Sequence, residues 1–470
     1  MKNKFKLEYL IYIYIFASPF LDASSGLFRT WLPSAKFNPV MVIRLIIPII
    51  LLAYIFFNDK KTRKPLVIGT VIYAIYGLIH ILLFKNNLTG ISYGTVFSEG
   101  LYLLNYTFNI YMLFIIMYFS KKNKLKMLKD SMFLCLLSYL IIIYFSILTG
   151  TSSYTYLTGV GYKSYFVSGN TLSTALLLLF SALITDGISK RNIKYLISFV
   201  LLGVFLIFLV GTRTGMLGFL LVLVIYVLLN IFKALNKKIK IDKIMVISGI
   251  GLFLSIGILL GLVGSNTLKR MKNFDSKEYE IIDVNTGEES HVTGDTSSIV
   301  YNIKNNIYEE GFLSEEQEKA YLKTYEICNK LNIKGTNLRV QQLIYHGVLV
   351  KEEHNVLYLL FGNGYHSQYG EMTLEMEVVA LLLNFGLTGF ILYLGPYLFL
   401  CYKVIKYLKK KKKISDNSIM YMFGIGLAIF LSFIAGYVFY SGTVALLIIC
   451  LFSLLKEDGD YLWKRKSYLE

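Results

Sequence analysis

Apolar runs of about 20 residues recur along almost the whole chain, and they limit its possible folds more than any other feature. A helix of that length crosses the hydrocarbon core of a bilayer, where backbone polar groups must be hydrogen-bonded within the protein. The other structure that spans lipid, a closed β-barrel, would show short segments of alternating polarity. With 55% hydrophobic residues and a mean hydropathy of +0.56, the 470-residue chain is too apolar for a soluble protein. We therefore predict an all-α, polytopic transmembrane helix bundle.

The connectors between the apolar runs predict the orientation of the bundle. Lysine-rich segments such as "KKNKLKMLK" and "KYLKKKKK" follow the even-numbered runs up to the tenth. Because cytoplasmic connectors carry an excess of Lys and Arg, both termini are predicted to be cytoplasmic and the other connectors to face outside. This rule also explains the net charge of +18 without a nucleic acid partner. The twelve predicted spans cover residues 8–26, 39–57, 65–84, 101–120, 131–149, 171–187, 195–211, 214–232, 244–264, 374–402, 418–436 and 438–455.

One outward connector, residues 265–373, differs from the others in length and charge. Between Ser265 and Glu375, acidic residues outnumber basic ones by 17 to 11, the reverse of the rest of the chain. Apolar residues recur at three- and four-residue spacing in "SEEQEKAYLKTYEICNKLNI", which predicts a helix within this connector. An ordered loop of this length is usually functional. The predicted regions are the first nine spans in 1–264, the extracytoplasmic loop in 265–373, and the last three spans with a cytoplasmic tail in 374–470.

Three arginines are candidates for binding an anionic substrate. Arg213 lies in the short outward turn "VGTRTGMLGFL", where it either extends to lipid headgroups or binds phosphate oxygens in a bidentate manner. Arg44 lies inside the second span, where a charged side chain pairs with a buried acid, extends to the interface or faces a cavity. Arg339, in "NLRVQQLIYHGVLV", would by itself be a solvated residue of the outer loop.

Three carboxylates lie at the start of the tenth span, within "FGNGYHSQYGEMTLEMEVVALLLNFGLTGF". Glu371 and Glu375 are four residues apart and would share one face of the first helical turn, whereas Glu377 would point elsewhere. Carboxylates at this position either offset the helix dipole or act as a general base at the rim of a cavity. The Gly-x-Gly turn in "FGNGY" is too short to be a dinucleotide-binding fingerprint.

The order of these motifs resembles that of the O-antigen ligase and O-antigen polymerase superfamily of bacterial membrane glycosyltransferases. The outward "TRTG" turn is followed by a large outer loop with an arginine, then by "FGNGY", an acidic position and "FGLTGF". The resemblance implies an all-helical fold whose outer loop covers a lateral cavity. It also implies undecaprenyl-diphosphate-linked glycans as substrates, with no sugar nucleotide and no obligatory metal, so no cofactor is expected.

The sequence departs from the ligase branch of this superfamily at one informative position. In that branch a "HNxxL" motif precedes the paired glycines, and counting back from Gly386 places its histidine position on Glu375. The "HN" at His354 and Asn355 precedes "FGNGY" and is therefore out of register. The sequence thus favours a polymerase of O-antigen or capsule type. The alternatives are a ligase that moves finished glycan to another acceptor, and a lipid-linked oligosaccharide flippase, for which short loops would be expected.

The residues and the resemblance together give a hypothesis for the site, in the bacterial plasma membrane. Arg213 and Arg339 would stabilise the departing diphosphate, and Glu375 would accept the proton of the attacking sugar hydroxyl group. The expected partners are the lipid-linked oligosaccharide, membrane lipid and other proteins of polysaccharide assembly. Further substrate contacts are predicted for Arg44, Gly362, Gly364, Glu371 and His366.

Overall fold

The computed structural model describes most of the chain and places it mainly in α-helices. The described residues are 6–32, 38–87, 93–122, 124–156, 159–189, 192–235, 296–307, 313, 315–333, 337–353, 356–362, 364, 374–409, 414–434 and 436–458. Within these ranges the helices are α1 (Glu8–Trp31), α2 (Pro39–Asn58), α3 (Lys60–Asn87), α4 (Tyr93–Lys121), α5 (Leu128–Leu148), α6 (Gly169–Ser189), α7 (Ile193–Val204), α8 (Arg213–Leu235), α9 (Thr296–Lys304), α10 (Glu315–Lys330), α11 (Leu338–Glu353), α12 (Val356–Phe361), α13 (Glu377–Leu408), α14 (Asp416–Ile434) and α15 (Gly442–Asp458).

The described helices confirm the predicted fold class. Nine of those in the described ranges are long and apolar enough to cross a bilayer, and two shorter apolar helices cover Ile193–Leu209 and Gly442–Lys456. The predicted spans one to eight and ten to twelve each coincide with one of these helices. The ninth predicted span, 244–264, lies outside the described residues.

The centre of the bundle is α6, which packs against α5, α8, α14 and α15. Its side chains are buried on almost every face, and the ring of Phe180 stacks on Phe219 of α8 with the centroids 4.7 Å apart. Small residues allow the close approach of neighbouring helices, as where Gly424 of α14 lies against Ser181. Apolar side chains on the outside of the bundle, such as Leu78 and Ile141, are exposed. A lipid bilayer would cover these side chains.

Helices α9, α10 and α11 belong to the predicted outer loop, and we call them the outer region; they have a small core of their own. Ile299 of α9, Tyr321 of α10 and Tyr345 of α11 are fully buried, and the two tyrosine rings stack with centroids 4.1 Å apart. The Gln341 side chain of α11 accepts hydrogen bonds at 2.9 Å from both the backbone N–H and the hydroxyl group of Thr296. The helix that the sequence predicted in this region is confirmed as α10.

Two segments of irregular backbone lie next to the turn that precedes α8. A two-stranded antiparallel hairpin, β1 (Ser153–Tyr154) and β2 (Tyr162–Ser164), follows α5. A π-helical turn at Phe205–Leu209 follows α7 and leads to the turn before α8. The two meet where the Thr155 hydroxyl group donates to the Val210 carbonyl oxygen at 2.7 Å. The hairpin therefore supports the turn that precedes Arg213.

Candidate functional site

Arg339 and Glu375, which the sequence places in separate motifs, form an ion pair. The Nε and Nη2 atoms of Arg339 both donate to Oε2 of Glu375, each at 3.3 Å. The Arg339 side chain is 41% exposed and that of Glu375 is 53% exposed. An ion pair this accessible contributes only ~0–1 kcal/mol to stability. Both groups therefore remain within reach of a ligand from outside.

Helix α11 contains Arg339 and also contacts the backbone of Glu375. Arg339 and Gln342 are three residues apart and so lie on one face of α11. The Oε1 atom of Gln342 accepts the backbone N–H of Glu375 at 3.3 Å. Glu375 itself lies two residues before α13, whereas the sequence predicted it within the first helical turn. The side chain is thus positioned by α11 rather than by helical register.

Glu377, the first residue of α13, is a buried structural anchor. Its carboxylate accepts the backbone N–H groups of Val438 at 2.5 Å, Phe439 at 2.8 Å and Tyr440 at 2.6 Å. The hydroxyl group of Tyr106 donates a fourth hydrogen bond at 2.9 Å. These contacts fix the start of α13 to α4 and to the segment that leads into α15. The sequence predicted only that Glu377 would point away from the other two acids.

The glycines of "FGNGY" and "NFGLTGF" pack directly against each other. α13 is broken at Gly386, whose φ of 65° and ψ of −177° are not helical. A methyl group on Gly386 would lie 2.4 Å from the backbone of Leu360 and Phe361, and one on Gly362 would lie 2.1 Å from the Asn384 carbonyl oxygen. The N–H of Gly364 donates to that same oxygen at 2.9 Å. Backbone packing therefore accounts for Gly362 and Gly386, and a φ of 79° accounts for Gly364. Substrate contact at Gly362 and Gly364 stays a prediction.

A buried histidine–carboxylate pair, which sequence reasoning missed, supports this junction. His80 of α3 donates through Nδ1 to the Phe361 carbonyl oxygen at 2.8 Å, and its Nε2 lies 2.9 Å from Oε1 of Glu99 in α4. The side chains of His80 and Glu99 are 1% and 0% exposed. Tyr76 of α3 donates to the Phe385 carbonyl oxygen at 2.8 Å, beside the helix break. The available signal was an ionisable residue within an apolar run, which marks a bundle interior.

Arg44 is paired inside the bundle, as one of its predicted alternatives required. Its Nη2 atom forms a close ion pair with Oδ1 of Asp22 in α1, and Tyr139 of α5 donates to Oδ2 of that aspartate at 2.7 Å. A methyl group on Gly442 would lie 2.9 Å from Nη1 of Arg44. Arg44 thus lies beside the first residue of α15.

Arg213 is the first residue of α8, and its side chain is exposed. The preceding Thr212 caps the helix, since its hydroxyl oxygen accepts the Gly215 N–H at 3.1 Å and lies 2.9 Å from the Ser173 hydroxyl group. Neither Arg213 nor Arg44 hydrogen-bonds with Arg339 or Glu375 among the described residues. Of the three predicted catalytic residues, Arg339 and Glu375 are thus in direct contact. Glu371, His366 and the out-of-register His354 lie outside the described residues.

Five buried or half-buried ionisable residues lie toward one end of the bundle, and we call them the polar layer: Asp22, Arg44, His80, Glu99 and Glu377. Asp22 lies nine residues before the end of α1 and His80 seven residues before the end of α3, whereas Arg44, Glu99 and Glu377 lie within the first seven residues of α2, α4 and α13. Ring contacts connect two parts of the layer, because the ring centroid of Phe385 lies 5.3 Å from that of His80 and 5.5 Å from that of Tyr106, the partner of Glu377. The Arg339–Glu375 pair precedes α13 and so lies at this same end.

No group of three or more His, Cys, Asp or Glu side chains within the described ranges is arranged to hold a metal ion. The described site contains an accessible carboxylate, guanidinium groups and a buried polar layer. A carboxylate accepts a proton, and a guanidinium group binds phosphate oxygens.

Comparison with known proteins connects this arrangement to one family. The sequence model of the family described as "O-antigen ligase like membrane protein" matches residues 2–458. A search of individual curated proteins gives no match. The family comprises membrane enzymes of surface polysaccharide assembly, of a glycosyltransferase-like class, and it implies lipid-linked oligosaccharide substrates. Because the match covers nearly the whole chain, this protein belongs to the O-antigen ligase-like family of membrane proteins.

Proposed function

We propose that this protein is a polymerase of a bacterial surface polysaccharide, of O-antigen or capsule type. It transfers a growing glycan from undecaprenyl diphosphate to the next lipid-linked repeat unit in the plasma membrane. The observation that supports this proposal most directly is the accessible ion pair of Arg339 and Glu375 at the start of α13. It places a proton acceptor beside a phosphate-binding group at the end of the bundle that contains the polar layer.

The proposed reaction has one bond formed and one bond broken. The acceptor hydroxyl oxygen attacks the anomeric carbon of the donor glycan, and the bond from that carbon to the diphosphate oxygen breaks. Glu375 takes the hydroxyl proton, and the negative charge that develops on the diphosphate is stabilised by arginine. Because the diphosphate is already a good leaving group, the reaction needs neither a nucleotide nor a metal ion.

Arg339 has donors to spare for this role. A guanidinium group carries five N–H bonds, and the two contacts to Glu375 leave three for phosphate oxygens. Arg213 is exposed at the start of α8 and is proposed to bind the same diphosphate. Arg44 is neutralised by Asp22, so we propose that it holds the bundle beside the site and contacts the substrate less directly.

The identity of the residue at position 375 favours polymerase over ligase. The family resemblance places a ligase histidine at this position, and here a glutamate is paired with an arginine of the outer region. The lipid-linked glycans that accumulate in a deletion strain distinguish the two functions. Single repeat units on lipid are expected for a polymerase, whereas long chains on lipid would indicate a ligase and contradict the proposal.

A charge-reversal experiment tests the roles of Arg339 and Glu375. Arg339→Ala and Glu375→Gln should each lower the rate of polymer formation by about a hundredfold, because each removes a transition-state contact. The double variant with Arg339→Glu and Glu375→Arg restores an ion pair but exchanges the chemistry, so it should stay inactive. The rate is measured with purified protein in liposomes that contain lipid-linked repeat units.

The control is the pair of Glu315 and Lys319, four residues apart on α10 with 3.7 Å between their charged atoms. Reversing this pair should leave the rate unchanged, since both side chains are highly exposed and lie on another helix of the outer region. Recovery of activity in the reversed Arg339–Glu375 variant would show that the pair is a structural contact. It would also contradict the role of Glu375 as the general base.

A further inference from the structure

The short helix α12 lies deeper in the bundle than its place in the outer region of the sequence suggests. The chain on either side of α12 is held at the bundle end, because α11 supplies Arg339 and α13 is preceded by Glu375, its ion-pair partner. Between these points, the backbone of Leu360 and Phe361 touches Gly386 within α13. Gly386 lies nine residues after Glu377, which corresponds to about 14 Å along the helix axis.

A second helix gives an independent estimate of this depth. The apolar part of α3 lies between Lys64 and Lys85, and the ring of Tyr76 stacks on Phe361 with centroids 6.3 Å apart. Tyr76 is nine residues and His80 five residues before Lys85, or about 14 Å and about 8 Å along the axis. Both residues contact Phe361, so this part of the chain lies at the depth of the apolar part of α3.

Two backbone groups at the end of this segment are satisfied by protein, as lipid requires. The Phe361 carbonyl oxygen accepts from His80, and the Gly364 N–H donates to the Asn384 carbonyl oxygen. Irregular backbone at membrane depth is tolerated only where neighbouring protein or water satisfies it. A surface loop in water would not need a buried histidine–glutamate pair for this purpose.

The described side chains on the outer face of α12 are apolar and largely exposed. Val356, Leu357, Leu359 and Leu360 are 70%, 43%, 60% and 41% exposed, so four of the six residues of this helix present apolar side chains. In water such a cluster would be unfavourable. The exposed side chain of Leu387 on the adjoining turn of α13 continues the same kind of surface.

We propose that residues 356–362 form a re-entrant membrane segment whose exposed side chains contact the hydrocarbon chains of bilayer lipid. The flanking described residues Arg339 and Glu375 lie at the bundle end that carries the polar layer, whereas the segment itself reaches the break at Gly386. Lipid is the occupant because the uncovered side chains are wholly apolar and adjoin the exposed apolar surface of α13, a helix long and apolar enough to span the bilayer.

The test places a fluorescent bimane label at Leu359→Cys in full-length protein without its four native cysteines, reconstituted in liposomes. Bromines on the acyl chains of phosphatidylcholine quench a label that touches hydrocarbon, and aqueous iodide quenches one that touches water. Two controls have an equal exposed fraction of 64%, namely Leu78 on the outside of α3 and Leu331 after α10. Leu357→Cys replaces Leu359→Cys if the latter does not elute as folded protein.

The label at Leu359 should lose as much fluorescence to brominated lipid as the label at Leu78, and iodide should affect only Leu331. Quenching of Leu359 by iodide, at the level of Leu331, would overturn the proposal and place α12 in water. Absence of both effects would overturn it as well, because another part of the chain would then cover the helix. If the label at Leu359 is protected from iodide only after a polyisoprenyl diphosphate is added, the surface binds the substrate's polyisoprenyl chain and not bilayer lipid, and the proposal is overturned.

Discussion

At the scale of single residues, the three carboxylates before and within α13 have different physical roles. Glu377 is buried and accepts four hydrogen bonds, whereas Glu375 is half-exposed and pairs with one arginine. A buried carboxylate surrounded by donors stabilises the fold that supplies them, and an exposed one is free to take part in chemistry. Two neighbouring acids in one motif therefore separate into a structural and a candidate catalytic residue.

Substitution of Glu377 tests this separation. In Glu377→Gln, the amide group would oppose backbone N–H groups of the 438–440 segment, so a donor would face a donor. The expected loss is ~2–4 kcal/mol of folding free energy, observed as a lower melting temperature in detergent. Glu375→Gln serves as the matched variant and should melt like the parent protein, within about 1 kcal/mol. Equal melting temperatures for both variants would contradict the anchor role of Glu377.

At the scale of elements, the break in α13 is the point at which the short helix α12 contacts the bundle. A straight helix would present a side chain at position 386, whereas the glycine lets the backbone of α12 come into van der Waals contact. Beside the break, Tyr76 donates a hydrogen bond to the Phe385 carbonyl oxygen. The break, α12 and the buried pair of His80 and Glu99 thus form one connected structure.

Two alanine substitutions on α13 test the importance of this break. Gly386→Ala would need a φ of 65° and would place a methyl group 2.4 Å from backbone atoms that cannot move independently. We expect a loss of folded protein, since such strain and overlap cost several kcal/mol, roughly 2–5. Gly395→Ala is the control, because its nearest neighbour would be an ordinary contact at 3.8 Å.

The control substitution should be neutral or slightly stabilising, because alanine favours a helix by up to about 1 kcal/mol relative to glycine. The measurement is the amount of monodisperse protein after detergent extraction, together with its melting temperature. A Gly386→Ala protein as abundant and as stable as Gly395→Ala would show that α12 is not held against the break.

At the scale of the whole molecule, the polar residues of the bundle are unevenly distributed. The polar layer and the Arg339–Glu375 pair lie toward the end at which α1 and α3 finish and α2, α4 and α13 begin. At the opposite end, exposed lysines pair with aspartates, as Lys122 does with Asp59 at 3.0 Å. The hydrogen bond from Lys122 lowers the pKa of Asp59 to about 2, so this pair stays ionised at physiological pH. The ionisable groups are therefore largely buried at the first end and more exposed at the second.

The distribution of lysine predicts which end faces outside. A cysteine at Leu331, 64% exposed in the outer region, should react with a membrane-impermeant maleimide in intact cells. A cysteine at Met127, 49% exposed in the lysine-rich connector after α4, should react only after the membrane is permeabilised. Both are made in a cysteine-free protein. Labelling of Met127 alone in intact cells would invert the predicted orientation.

The sequence by itself determined the fold class of the protein and the approximate positions of the described membrane-spanning helices. Length and hydropathy are local properties, so the spans of α1, α2 and α5 could be predicted from the residues within them. The lysine pattern predicts an orientation in the same local way. The ordered motifs also identified the family, because "TRTG", "FGNGY" and "FGLTGF" are short and contiguous.

Only the tertiary structure decided which polar side chains meet. Glu375 lies 36 residues from Arg339, and His80 lies 281 residues from Phe361, so neither partner can be inferred from spacing. Which helices become neighbours determines whether an acid is buried like Glu377 or remains accessible like Glu375. Burial in turn determines whether a carboxylate needs every one of its hydrogen bonds for stability or can accept a proton.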